Sequence, residues 1–180
     1  MTEIIQHPLS CQWTFWKDET SQKNISFEDY ITNLKELSSC TSIESFWKSY
    51  AALPSLELLQ DQKIMISFMK NDIKPLWEDL RNQNGSTITI KCRKNETAHL
   101  WKLLLVNVIS NQLNEFITQT LINGVSVSMK RDNNILTLWI NSTNAKQQSN
   151  AVKWMLSLFP QLKSEDVVVK ENKHHQSYSK

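Results

Sequence analysis

The chain has 180 residues, a formal net charge of +2 and a hydrophobic fraction of 40%. This length suits a single domain spanning 1–180 that needs no disulfide to stabilise its core, with flexible termini at about 1–6 and 171–180. The small net charge excludes a protein that coats nucleic acid by neutralising many phosphates, although it permits a few focused phosphate contacts.

The cysteines and the N-terminus indicate the compartment. Cys11, Cys40 and Cys92 are odd in number and include no C-x-x-C pair, so we expect neither a disulfide framework nor a zinc site. The first residues lack the basic region and apolar core of a signal peptide, and no run of about 18 apolar residues occurs. We therefore expect a cytoplasmic protein, with the nucleus as a further possible location, and no membrane partner.

In chain order, the first predicted elements are an aromatic strand at 11–16, a loop at 17–27 and a helix. Thr41 and Glu44 have the spacing of a capping box, with Thr41 as the N-cap residue. The helix is expected to bury one apolar face and to end before Pro54. That face consists of Ile43, Phe46, Trp47, Tyr50 and Ala51.

The middle of the chain predicts two strands and a long helix. The strands are at 63–68 and 87–92, and a turn at Asn84 and Gly85 precedes the second. The helix at 95–113 has more apolar residues than one buried stripe requires. Burial between a sheet and other helices is favoured over contact with a partner.

The last third of the chain predicts a hairpin, a helix and a short strand. Residues 124–130 and 135–140 alternate between apolar and polar, and a turn-forming Asp-Asn-Asn segment separates them. A helix at 145–159 and a strand at 166–170 follow. Hairpin spacing with three long helices indicates an α+β fold, in which one curved, mainly antiparallel sheet carries the helices on its convex face and leaves its concave face for a ligand.

The clearest functional signal is Trp77, which lies beside the carboxylates of Glu78 and Asp79 just after Pro75. An indole face attracts a cationic ring, and a carboxylate accepts hydrogen bonds. The combination suits a flat, electron-poor heterocycle with N–H donors, such as guanine methylated at N7. Judged by spacing alone, a core tryptophan beside solvated acids is the favoured alternative.

Signatures of catalysis are missing from the sequence. It has no G-x-S-x-G or H-E-x-x-H motif, and its two glycines, Gly85 and Gly124, cannot form a phosphate-binding glycine loop. His174 and His175 have no second ligand cluster for a metal. We therefore expect a protein that is not an enzyme and has no cofactor or metal.

Several landmarks occur in a set order along nearly the whole chain. They are His7-Pro8-Leu9, Trp13, Trp16, residues 42–47, Tyr50, residues 77–79, Trp101, Gly124 and residues 136–139. In this order the chain resembles the eukaryotic translation initiation factor 4E family of mRNA cap-binding proteins. The resemblance implies binding of the 7-methylguanosine 5′ cap in translation initiation or its regulation.

The resemblance assigns roles in a cap pocket. Trp77 matches one of the two rings that sandwich the methylated base, and Glu78 matches the acid that accepts from its N1–H and N2–H₂. Tyr30 matches the other ring, with Phe27 as the rival, and a tyrosine here is similar to the divergent branch called 4E homologous protein. A phenol is expected to weaken cap affinity by about 1 kcal/mol. Trp139 matches the residue that packs on the N7 methyl group, and a core role is almost as well supported.

The phosphate-binding positions depart from the family. Lys130 replaces an arginine, and Ser86 and Ile135 stand where further cations are usual. Lysine is a point charge without the fork of arginine, so the expected grip on the triphosphate is weaker. Arg131, Lys91 or another lysine could compensate.

The resemblance also implies that a scaffold or repressor docks an amphipathic Tyr-x-x-x-x-Leu-φ helix on the back of a monomeric domain. The matching residues are His7, Pro8, Ile43, Trp47 and Tyr50, together with Lys102, Leu103 and Val106 on the long helix. Lys102 and Leu103 replace the family's Leu and Glu, so a different set of partners is expected. The alternative function is a protein-interaction module of the same fold with weak or lost cap binding.

Overall fold

The computed structural model describes residues 6–19, 31–60, 62–110 and 116–172. Seven strands are present in this part of the chain: β1 (Pro8–Asp18), β2 (Leu34–Ser42), β3 (Met65–Lys70), β4 (Ser86–Cys92), β5 (Ile122–Ser128), β6 (Asn134–Ile140) and β7 (Val167–Glu171). They form one curved antiparallel sheet in the order β2-β1-β3-β5-β6-β4-β7. Of the neighbouring strand pairs, two are consecutive along the chain, β1–β2 and β5–β6, so tertiary pairing sets most of the order.

Four α-helices lie wholly within the described residues: α1 (Ile43–Ala52), the short α2 (Leu80–Gln83), α3 (Lys94–Ile109) and α4 (Ala145–Leu158). The predicted α+β fold, with one antiparallel sheet and three long helices, is confirmed. Within the described residues, no helix has both the length and the apolar character needed to cross a bilayer.

One face of the sheet packs against the helices and forms the main core. In the β5–β6 hairpin, Val125 pairs with Leu138 and Val127 pairs with Leu136, and all four side chains are buried. Strand alternation places these residues on a common face. The apolar surfaces of α3 and α4, including Leu104 and Trp154, complete this core. Most of the apolar surface of α3 is buried in this core against the sheet, as predicted.

An aromatic cluster joins α1 to the sheet. The ring of Phe68 on β3 lies 4.2 Å from Phe15 and 4.9 Å from Trp13 between centroids. Phe46 of α1 approaches the same ring at 5.6 Å. Phe46 is therefore the residue through which α1 contacts the core.

The N-terminus of α1 differs from the prediction. Ser42, not Thr41, is the N-cap residue, and its hydroxyl accepts a hydrogen bond from the Ser45 amide at 3.1 Å. The Ser45 hydroxyl completes the capping box by accepting from the Ser42 amide at 2.9 Å. Thr41 still belongs to β2, so the helix begins one residue later than the Thr41–Glu44 spacing indicated, and Glu44 contacts His7 instead.

The buried face of α1 also differs from the prediction. Phe46 is buried as expected, but the other buried residue is Ser49. Ile43 and Trp47 are 42% and 39% exposed, and Ala51 is exposed as well. Because α1 packs on the core through Phe46, the part of the apolar stripe that contains Ile43, Trp47 and Ala51 faces outward.

Two strand ends extend beyond the predicted limits. Lys17 and Asp18 were expected in a loop but belong to β1, because Asp18 pairs with Leu34 on one side and Met65 on the other. At the other end, Glu171 pairs with Ser86 in β7. The strand therefore includes the first residue of the tail expected to be flexible.

A second apolar cluster lies outside the main core. It contains Trp16, Met69, Ile73 and Trp139, with Leu34 packed against it. Trp139 lies between Leu138 and Ile140, which both belong to the main core, so alternation directs it to the opposite, concave face. The sheet thus has aromatic residues on both faces.

Candidate functional site

A cavity of about 770 Å³ opens beside this second cluster. The lining residues are Trp77, Thr87, Trp139, Gln148, Val169, Lys170, Glu171 and Asn172. They come from the loop after β3, from three adjacent strands and from α4. The volume lies within the range of about 300 to 1,000 Å³ that is usual for small-molecule sites.

Trp139 has a fixed orientation in this cavity. Its indole Nε1 donates a hydrogen bond to the hydroxyl of Ser126 at 2.9 Å, and the residue is only 8% exposed. The polar atom of the ring is thus satisfied by the neighbouring strand. What Trp139 presents to the cavity is apolar ring surface.

Trp77 lies on the loop between β3 and β4 and is 37% exposed, which is unusual for so large an apolar side chain. The sequence left a core tryptophan as the favoured alternative. The exposure argues against that alternative, because burying indole surface is what a core position provides.

The loop that carries Trp77 is held by a buried amide. Asn82 is fully buried, and its Nδ2 donates to the carbonyl oxygens of Lys74 at 2.9 Å and Leu76 at 2.8 Å. Its Oδ1 accepts from Asn123 Nδ2 on β5 at 2.9 Å. These three bonds tie both sides of the Trp77 turn to the sheet.

The two acids after Trp77 have different surroundings. The carboxylate of Asp79 accepts from the amides of Lys74 and Arg81, each at 3.0 Å, and thereby caps α2. The carboxylate oxygens of Asp79 are therefore engaged in hydrogen bonds within the loop. Gln83 instead fixes the backbone of Glu78, donating from Nε2 to its carbonyl oxygen at 2.8 Å. Glu78 is half-buried beside Trp77.

Lys170 is the lysine that lines the cavity. It pairs with Thr87 across β7 and β4, and Thr87 pairs with Trp139 across β4 and β6. These three residues lie side by side on one face, so Lys170 is two strands, or about 10 Å, from Trp139. Among the described residues, no carboxylate forms an ion pair with Lys170.

The resemblance to the 4E family predicts Lys130 as the cation that binds phosphate. Lys130 follows β5 in the connection to β6, whereas Trp139 lies near the opposite end of β6. From Ile135 to Trp139 alone the strand covers about 13 Å. Lys130 is not among the cavity-lining residues. Its phosphate role stays a prediction.

Ser86 and Ile135, which stand at the other two positions where the family usually has cations, carry no charge. Ser86 is fully buried, and its hydroxyl donates to the Ser142 carbonyl at 2.7 Å and accepts from Gln148 at 2.8 Å. It therefore ties β4 to the start of α4 and its preceding loop. Ile135 is half-buried on β6.

Some predicted residues fall outside the described part of the chain. Tyr30 and its rival Phe27 are among them, so the second ring of the sandwich stays a prediction. His174 and His175 also lie outside it. Within the described residues, no group of three or more His, Cys, Asp or Glu side chains could hold a metal ion.

The predicted partner surface begins where β1 meets α1. The Nδ1 atom of His7 lies 2.7 Å from Glu44 Oε1, and the His7 carbonyl accepts from the Ile43 amide at 2.9 Å. The hydrogen bond from His7 is the main cause that lowers the pKa of Glu44 to about 2, and backbone amides add to it. Pro8, the first residue of β1, is exposed beside this contact.

An exposed aromatic patch continues from there across α1 to α3. We call Ile43, Trp47, Tyr50 and Lys102 the dorsal patch. Trp47 and Tyr50 meet edge to face at 5.7 Å, and the Nζ atom of Lys102 lies 5.2 Å from the centroid of the Trp47 ring. Leu103 and Val106, also predicted here, are half-buried on α3.

A sequence profile described as Eukaryotic initiation factor 4E matches residues 8–180. The chain belongs to this family. It is 31% identical over 152 residues to eukaryotic translation initiation factor 4E of Candida glabrata, covering 81% of this chain and 68% of that protein. It is 29% identical over 171 residues to initiation factor NCBP of Arabidopsis thaliana, covering 94% and 73%.

Solved structures of initiation factor 4E proteins share the fold. The chain is similar to C. elegans eIF4E-3 in complex with the 4E-binding protein Mextli and cap analog, with a TM-score of 0.80, 22% identity and coverage of 93% of both chains. It is also similar to Ascaris suum eIF4E-3 with m7G cap, with a TM-score of 0.78, 22% identity and coverage of 98% and 96%.

In this 4E-family chain, replacing the buried amide should loosen the Trp77 loop. Asn82→Ala removes three buried hydrogen bonds, those to the Lys74 and Leu76 carbonyls and the one from Asn123, and we expect a loss of about 1 to 3 kcal/mol in unfolding free energy. Urea denaturation measures the loss, and acrylamide quenching measures exposure of the loop tryptophan. The matched control is Asn95→Ala on the exposed side of α3; equal effects in the two variants would contradict the anchoring role.

The His7–Glu44 contact predicts a pH dependence. A carboxyl whose pKa falls from 4.5 to about 2 on folding adds stability above pH 4.5, and that stability is lost as the pH falls from 4.5 to about 2. Glu44→Gln should therefore flatten the acid limb of the stability curve in that window. Denaturation midpoints across pH measure this, with Glu57→Gln as the control, and an unchanged acid limb in Glu44→Gln would contradict the assignment.

Proposed function

We propose that this protein binds the 7-methylguanosine 5′ cap of mRNA and acts in translation initiation or its regulation. The observation that carries the proposal is the cavity shared by Trp77 and Trp139, two indoles 62 positions apart in the sequence. Membership of the initiation factor 4E family supports it. So do the cap complexes of the C. elegans and Ascaris suum proteins, which have the same fold.

Stacking supplies the preference for a methylated base. Methylation at N7 makes the guanine ring cationic, and the face of an indole attracts a cation by about 0.5 to 2 kcal/mol, more when the pair is desolvated. The exposed ring of Trp77 provides such a face, with Tyr30 proposed as the second ring. Trp139, whose indole nitrogen donates to Ser126, offers apolar surface to the methyl group.

Glu78 reads the identity of the base. Its carboxylate accepts hydrogen bonds only, which suits the N1–H and N2–H₂ donors of guanine and disfavours adenine, in which N1 is an acceptor. Asp79 cannot share this role, because its oxygens already accept the Lys74 and Arg81 amides. The anchored loop therefore offers one carboxylate, that of Glu78, to recognise the base edge, next to one ring, that of Trp77, to stack on the base.

Lys170 is proposed to bind the phosphate chain. It lines the same cavity as both indoles, on the concave face, whereas Ser86 and Ile135 supply no charge. Glu171, the next residue of β7, also lines the cavity. Lys130 remains a second, more distant cation for the outer phosphates.

Cap binding is tested by fluorescence titration with 7-methyl-GTP. We expect tryptophan quenching by 7-methyl-GTP and much less by GTP. Trp77→Ala should abolish binding. Glu78→Gln should weaken it about tenfold to a hundredfold, because the two N–H donors of the base lose their charged acceptor. Trp47→Ala, on the other face, is the control that keeps its affinity. Equal quenching by GTP and 7-methyl-GTP would contradict cap selectivity.

The role of Lys170 is tested by varying the phosphates. Affinity for 7-methyl-GTP should exceed that for 7-methyl-GMP, and Lys170→Ala should reduce this difference by about threefold to tenfold without changing affinity for 7-methylguanosine. The salt dependence of binding should fall in the same variant. Lys130→Ala is the matched comparison: a larger loss there than in Lys170→Ala would reassign the main phosphate contact to Lys130.

The dorsal patch is proposed as the docking surface for an amphipathic Tyr-x-x-x-x-Leu-φ helix of a scaffold or repressor. Two large apolar side chains, Ile43 and Trp47, are exposed side by side there. The complex of C. elegans eIF4E-3 with the 4E-binding protein Mextli supports this part of the proposal. Docking would couple a capped mRNA to that partner.

A second candidate is an interaction module with weak or lost cap binding. The use of Ser86 as a buried structural hydroxyl favours it, because that position then offers no cation. Retention on a cap resin separates the two candidates. A folded protein that passes through the resin but still binds a Tyr-x-x-x-x-Leu-φ peptide is the interaction module.

A further inference from the structure

The dorsal patch has a cation at its centre. Lys102 of α3 places its ammonium 5.2 Å from the centroid of the Trp47 ring, while 39% of the Trp47 surface stays exposed. The ammonium therefore covers part of the aromatic face that a docking helix would use. Any partner that packs on Trp47 must either share the ring with this charge or displace it.

The acids of the two helices do not neutralise this cation. The sequences of α1 and α3 contain two carboxylates, Glu44 and Glu96. Glu44 accepts from both the ring and the backbone amide of His7. Glu96 is six residues from Lys102 on the same helix, which places it about 120° around the axis. Within the described residues, Lys102 forms no ion pair with a carboxylate.

We propose that the dorsal patch selects partner helices that carry an acidic side chain opposite Lys102. This inference rests on the helix docking proposed above and specifies the charge of the docked helix. A partner carboxylate beside Lys102 would pair with the ammonium as apolar side chains cover Trp47. A partner lysine or arginine at that place would face like charge over a partly desolvated ring.

The physical basis is the cost of moving the ammonium. An ammonium over an indole face is stabilised by the ring quadrupole, and covering the ring with an apolar side chain removes part of that stabilisation. A carboxylate on the incoming helix restores a favourable contact for the same charge. Charge complementarity of this kind chiefly sets partner choice and association rate, and added salt weakens it.

The test uses three Tyr-x-x-x-x-Leu-φ peptides that differ at one solvent-side position, which carries Glu, Gln or Lys. The position is varied along the peptide to find the one that faces Lys102. At low ionic strength, we expect the Glu peptide to bind about threefold to tenfold more tightly than the Lys peptide, since one surface attraction is replaced by a repulsion. High salt should reduce the difference.

The decisive variant is Lys102→Glu. It should reverse the order, so that the Lys peptide binds more tightly than the Glu peptide. Lys153→Glu on α4 makes the same change in net charge away from the patch and should keep the original order. Circular dichroism and cap titration confirm that the variants are folded.

The possible outcomes separate this inference from the docking on which it rests. Peptides that bind equally well, or an order that Lys102→Glu leaves unchanged, overturn the charge selection while docking stands. If none of the peptides binds the folded protein, docking itself is overturned and the charge selection with it. Reversal of the order in Lys102→Glu alone supports the inference.

Discussion

The site depends on the hydrogen bonds of one buried amide, Asn82. The connection between β3 and β4 has only the four-residue helix α2 to stabilise it, so its backbone polar groups need other partners. Asn82 supplies two of them by donating to the Lys74 and Leu76 carbonyls, and its Oδ1 accepts from Asn123 on β5. An irregular loop that carries an indole and a carboxylate is thereby hydrogen-bonded to the sheet.

The sheet divides the remaining aromatic residues between two tasks. Phe68 and its neighbours fill the core beneath α1, and Trp139 faces the other side with Trp16 and Met69. Because α1 packs through Phe46, Trp47 is turned toward solvent instead of the core. The cavity therefore lies on one face of the sheet, and the aromatic patch lies on the helices that cover the other face, with the core between them.

Charge is placed at both surfaces by lysines, with different consequences. Lys170 shares a cavity with two indoles, where a cation would complement the phosphate chain of the proposed ligand. Lys102 lies on an exposed ring, where a cation restricts what can approach. The buried hydroxyl of Ser86 holds β4 to α4 and to the loop before it.

The sequence determined what is local: the alternation of the β5–β6 hairpin, the α4 stripe that buries Ala151 and Trp154, and the Trp77–Glu78 pair beside Pro75 all follow from neighbouring residues. The sequence pattern predicted the wrong start and the wrong buried face for α1. The start depends on the hydrogen bonds between Ser42 and Ser45, and the buried face depends on the core around Phe68. Only the tertiary structure decided that Lys170, Thr87 and Trp139 lie side by side, because the strand order β6-β4-β7 joins segments distant along the chain, and no local periodicity records which strands will pair.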